Sequence, residues 1–116
     1  MTFPEQAVLD EVTRLPGVRS ALLVGLEDGI VVAETALEGE DTRAAAALAA
    51  RLAQRLAELP RTVGHPALTM ILLQGSEGQL FAAPGGDGLL LVAVADNDVN
   101  IGEVRLALLD AAGRLS

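Results

Sequence analysis

Between residues 41 and 59 the apolar positions fall on two helical stripes rather than one. At about 100° per residue, Ala45, Leu48, Leu52, Leu56 and Leu59 line up, and Ala46, Ala49, Ala50, Ala53 and Ala57 form a second stripe roughly 120° further round. Arg51, Gln54, Arg55 and Glu58 fill the remaining arc. A helix on the outside of a small domain needs one apolar face for its own core. The leucine stripe is expected to supply it, with Leu52 and Leu56 as core residues. The second stripe is made of alanine alone and would let another backbone come close, so it is expected to meet a partner.

The remaining pattern divides cleanly. Residues 4–15 read as a helix on Val8, Val12 and Leu15, with Pro4 in its first turn and Pro16-Gly17 as its stop. Residues 18–26 alternate as a strand, Asp28-Gly29 closes a hairpin, and residues 30–35 return. Asp41 or Thr42 caps the long helix. Residues 60–66 connect it to a third strand at 68–74. Strands at 79–83 and 89–95 follow, separated by the turns Gly75-Gly78 and Pro84-Gly88. The run at 89–95 is apolar without a break, which predicts a central strand covered on both faces. A last helix over 101–112 carries Ile101, Val104 and Leu108 in step, capped by Asn100 or Asp98 and ended by Gly113. The order α-β-β-α-β-β-β-α predicts an α/β sandwich, a single domain over residues 1–116, with helices on both faces of one sheet.

Composition narrows the function. The chain has no Cys, which excludes disulfides, zinc–thiolate sites and thiol catalysis. Its net charge of −8 and two aromatic residues, Phe3 and Phe81, argue against nucleic acid and anionic membranes. The opening MTFPEQAVLDEV has acids where a signal peptide needs bases, and no apolar run approaches membrane-spanning length. A cytoplasmic chain is expected. The charge is uneven: residues 43–61 hold four Arg and one Glu, a local +3, which leaves −11 for the remainder of the −8 total. That strip is either a solvated face or a contact surface for an acidic partner.

Catalytic and metal chemistry find no purchase. His65, the single His, has no nucleophile or carboxylate nominated beside it. Asp96-Asn97-Asp98-Val99-Asn100 begins like a calcium loop, but Ile101 and Ala107 stand where the Gly and the bidentate Glu belong. Gly85-Gly86-Asp87-Gly88 lacks the Lys and Ser/Thr of a phosphate loop and precedes a strand. No catalytic residue, metal ligand or cofactor site is expected, and the chain is read as a non-enzyme.

The order of elements, Leu15-Pro16-Gly17-Val18 before the first strand, the Asp28-Gly29 hairpin, the Ala-rich helix after it and Asn100-Ile101-Gly102-Glu103-Val104-Arg105 together resemble the roadblock/dynein light chain family, in particular its bacterial MglB-like branch. The resemblance covers almost the whole chain. It implies a five-stranded antiparallel sheet with the long helix on one face and the terminal helices on the other. It also implies a homodimer in which long helices pack together and third strands pair. Ala46, Ala49, Ala50, Ala53, Ala57, Thr69 and Ile71 would then lie in the dimer interface. The third strand, free of Lys and Pro, suits such pairing. The implied partner is a Ras-like small GTPase of the MglA type, met by Arg43, Arg51, Arg55 and Arg61 without an arginine finger. The alternative is a dimeric assembly adaptor indifferent to nucleotide.

Overall fold

A computed structural model describes residues 4–37, 41–58, 69–86 and 88–115. Its elements are α1 (Pro4–Thr13), β1 (Val18–Gly25), β2 (Val31–Ala36), α2 (Thr42–Ala57), β3 (Ile71–Gln74), β4 (Gln79–Pro84), β5 (Leu89–Ala95) and α3 (Ile101–Arg114). The strands form one sheet in the order β2-β1-β5-β4-β3, and every neighbouring pair is antiparallel. The unbroken apolar run of β5 takes the central position, where both of its faces are covered.

Alternation along each strand splits the core into two halves. Phe81, Ala83, Leu91 and Ala93 point to one face and pack with Leu9 and Val12 of α1 and Val104 and Leu108 of α3. Leu22, Val24, Leu80, Ala82, Leu90 and Val92 point to the other and pack under α2. The sheet is therefore the middle of three layers, with α2 the one element on one side among the described residues.

Local signals hold at the turns and caps. Gly29 has φ +71°, and the Asp28 carboxylate accepts a hydrogen bond from the Ile30 N–H at 3.0 Å, which closes the β1–β2 hairpin. Asp41 caps α2 by accepting from the Ala44 N–H, and Asn100 caps α3 by accepting from the Glu103 N–H. Gly17 has φ +89°, and a Cβ there would meet the Val99 side chain at 3.1 Å, so this junction between α1 and β1 requires glycine.

Most strand ends lie within a residue of the sequence reading, and three boundaries differ by two residues or more. Helix α1 ends at Thr13, whose hydroxyl donates back to the carbonyls of Leu9 and Asp10. Gly113 lies inside α3 instead of ending it. The helix is carried past it by Arg114, which bridges to Glu11 of α1 at 2.7 Å, and by Leu115, which packs on the core. Strand β3 starts at Ile71, and most of the connector before it, His65 included, lies outside the described residues.

The orientation of α2 is the main correction. Ala46, Ala49, Ala50 and Ala53 are the residues buried against the sheet, while Leu52 and Leu56 only pack at its margin. The cause lies in the layer beneath. The sheet already presents Leu22, Leu80, Leu90 and Val92 to this helix, so bulk comes from the strands and close approach from the alanines. The helix also reaches the β1–β2 turn, where a Cβ on Gly29 would stand in ordinary contact with that of Ala50, at 3.6 Å.

Candidate interaction surface

Turning the alanines inward turns the leucines to the flank. Leu48 is 43% exposed, with Ala45, Leu52 and Leu56 partly buried beside it. This flank overlooks the β3 side of the sheet, where Ala45 and Leu48 line a groove with Leu73, Leu80 and Arg19. Among the described residues strand β3 is paired only with β4, and its ILLQ sequence exposes Leu72 (40%) and Leu73 (42%).

The two edges of the sheet are not equivalent. On β2 the pairing with β1 shifts between Leu23 and Val24, so Val32 is an extra residue bulging from the edge, and Glu34 follows it. A bulge and a charge are the standard defences of a free edge. Strand β3 pairs with β4 in unbroken register and carries no charged residue. Among the described residues it is a bare apolar edge, on the side of the sheet that the leucine flank of α2 overlooks.

The residues expected at a dimer interface divide accordingly. Ala46 and Ala49 are wholly buried within the chain and Ala50 and Ala53 nearly so, so they have no surface to offer a partner. The side chain of Ala57 lies outside the described residues. Thr69 is exposed just before β3, and Ile71 is buried at its start. Of the four arginines, Arg51 and Arg55 are exposed on α2, and Arg55 meets Glu58 at 3.7 Å. Arg43 lies apart from them, beside Ile30–Glu34 on the opposite, β2 flank. Arg61 lies outside the described residues.

Side chains that sequence reasoning passed over hold this surface in place. The Gln54 amide donates to the carbonyls of Leu26 at 2.7 Å and Glu27 at 2.8 Å, which clamps α2 to the β1–β2 turn. Gln6 donates to Asp10 at 3.0 Å and to the Thr35 hydroxyl at 2.6 Å, and Thr35 donates to Asp10 at 2.9 Å, which ties α1 to β2. The hydrogen bonds from Gln6 and Thr35 hold the Asp10 carboxyl below its ordinary pKa. Glu11 holds the Arg114 guanidinium above its own. Apart from the bond between Gln6 and Asp10 within α1, these contacts join residues 25 or more apart and have no local sequence signature.

The Asp96–Asn100 loop is structural. Asp96 faces Arg19 at 3.5 Å, Asn97 donates to the Ser76 carbonyl at 2.7 Å, and Asn100 caps α3. Among the described residues no three His, Cys, Asp or Glu side chains converge as a metal site, and no helix is long and apolar enough to cross a membrane.

Three helices, a five-stranded antiparallel sheet and one bare edge define a roadblock-type fold. The chain belongs to the Roadblock/LC7 domain family, whose pattern it matches over residues 5–95. Its solved structural neighbours include MglB in a tetrameric arrangement, at a TM-score of 0.85 and 28% identity, covering 99% of this chain and 89% of that one. The gliding protein MglB of Thermus thermophilus superposes at 0.84 and 28% identity, covering 97% of this chain and 85% of that one. Among sequence relatives, uncharacterized protein MJ0714 of Methanocaldococcus jannaschii is 28% identical over 108 residues, 93% of this chain and 90% of the relative. MglC of Myxococcus xanthus, at 19% identity and a TM-score of 0.68, shares the fold.

Proposed function

We propose that this roadblock-type regulator or scaffold is a non-enzymatic homodimer that binds a Ras-like small GTPase of the MglA type. The observation that carries the reading is the unguarded β3 edge joined to the leucine flank of α2. Pairing β3 with the β3 of a second copy satisfies the open backbone groups of both and continues the sheet to twice its width. The same pairing brings the flanks bearing Leu48, Leu52 and Leu56 towards each other and removes them from water. The interface of this reading is therefore leucine on α2, with Thr69 and β3, rather than the buried alanines.

The partner surface is the outward side of α2. Arg51 and Arg55 give a basic strip on a chain of net charge −8, and dimerisation doubles it. A strip of that sign favours encounter with an acidic surface. The likeness to MglB supports a GTPase as its owner. The arginines contribute affinity and orientation, and hydrolysis is left to the residues of the GTPase.

The test is binding of the purified protein to a Ras-like GTPase from its own organism, loaded in turn with a GTP analogue and with GDP, with sedimentation to fix the oligomeric state. Preference for the GTP form is expected, together with weaker binding by Arg51→Glu/Arg55→Glu. Equal binding to both forms would replace the regulator with a nucleotide-indifferent adaptor.

A further inference from the structure

The β2 edge is guarded against sheet growth, yet it is not polar. Ile30, Val32 and Leu37 are 62%, 61% and 61% exposed, more than Leu48 or the two leucines of β3. An edge built for defence alone would carry charges at such positions. A bulge also re-aims a side chain. Val32 has no partner on β1, and its side chain stands in the space between β2 and the first turn of α2. That space is a groove of about 590 Å³, lined by Gly29–Glu34, Thr42 and Arg43. Its volume is in the range of sites that hold a ligand. It lies at the opposite edge from β3 and depends on neither the dimer nor the GTPase proposed above.

The helix wall of the groove follows from the phase of α2. At about 100° per residue Arg43, Ala47, Ala50 and Gln54 share one flank. Gln54 holds that flank to the β1–β2 turn, and a Cβ on Gly29 would touch Ala47 and Ala50, so helix and hairpin meet there. Towards the N-terminus of α2 the flank offers only Ala47 before Arg43, and strand and helix part. Arg43 is exposed and forms no ion pair among the described residues. Glu34 stands on the facing strand wall. The six residues Gly29–Glu34 run for about 20 Å at strand rise, so 590 Å³ leaves a cross-section of roughly 30 Å². A helix about 10 Å across needs roughly 80 Å².

We propose that this groove binds an extended segment of a partner protein, with apolar side chains at alternate positions set against Ile30 and Val32 and an acidic side chain set against Arg43. The segment is extended because the cross-section excludes a helix. It is held by its side chains and is not an added strand, because the extra residue at Val32 breaks the regular row of backbone groups along the edge. Its acid answers Arg43, the one basic side chain among the described residues that line the groove. Glu34 repels that acid from the strand wall, which fixes how the segment lies. One segment binds per chain.

The test titrates the isotope-labelled protein with a short peptide that has valine at alternate positions, serine between them and one glutamate in line with the valines. Binding is followed by the amide shifts of the protein. Saturable shifts are expected at Gly29–Glu34, Thr42 and Arg43. Val32→Ser and Arg43→Glu should each weaken binding by roughly tenfold, and both positions are exposed, so the fold is retained. Leu106→Ser, an equally exposed leucine on α3, should leave the affinity unchanged. The same peptide with lysine in place of glutamate should bind more weakly. No shifts up to about 1 mM peptide, shifts confined to other residues, or unchanged affinity in both groove variants would overturn the groove as a binding site. Equal or tighter binding of the lysine peptide would overturn the acidic occupant.

Discussion

At the residue scale, the alanines of α2 and the polar triad of Gln6, Asp10 and Thr35 between α1 and β2 set the tightest constraints. Ala49 is fully buried under a helix that rides low on a leucine-rich sheet. Ala49→Leu is expected to overpack this layer and to cost about 1–3 kcal/mol in a urea melt at fixed protein concentration. A neutral result would mean that the helix can lift without loss. The triad gives a pH-dependent prediction. The Asp10 pKa lies below its ordinary 3.8 in the folded chain, so its hydrogen bonds stabilise the fold above that value and are lost as the pH falls through the folded-state pKa. Thr35→Val should lower stability at neutral pH, and the gap from the wild type should narrow in acid below 3.8. A gap that stayed constant through that range would show that Thr35 acts by packing and not through the carboxylate.

At the element scale, the consequential feature is the contrast between the two edge strands. Leu73→Lys puts a charge in the middle of β3, the device that free edges ordinarily carry. A folded monomer is expected, seen as unchanged far-UV circular dichroism with a halved mass in sedimentation. A persisting dimer would move the interface elsewhere. This scale also shows what could be read in advance. The order of the strands, the central place of β5 and the Asp28-Gly29 turn follow from local pattern and formed as expected, while at each cap the structure selects one of two candidates, Asp41 over Thr42 and Asn100 over Asp98. The rotation of α2 does not follow from local pattern. Two apolar stripes on one helix cannot be ranked without knowing how much bulk the opposing sheet supplies, and that bulk comes from Leu22, Leu80 and Leu90, residues distant in sequence. The Gln54 clamp and the Gln6–Asp10–Thr35 triad were hidden for the same reason: ordinary polar residues acquire a role only when the fold brings remote groups to them. The continuation of α3 through Gly113 depends likewise on Glu11, from the other end of the chain.

At the scale of the whole molecule, the alanine-for-leucine exchange places the larger apolar side chains where a second molecule can use them. Thermal stability should then depend on protein concentration, because dissociation is part of unfolding for a dimer held by such a surface. A midpoint that does not move over a wide dilution series would count against the dimer. The bulge at Val32 bears on how large the assembly can become. A sheet with two open edges grows without limit, since each added copy exposes a fresh edge for the next. In the dimer proposed above, one edge is open and the other kinked, so growth would terminate after a single addition and β2 would act as the chain stop of a two-unit polymer. Deleting Val32 would straighten β2 and restore its pairing capacity. The expected product is a ladder of higher oligomers in light scattering, built by the pairing chemistry that would otherwise halt at the proposed dimer.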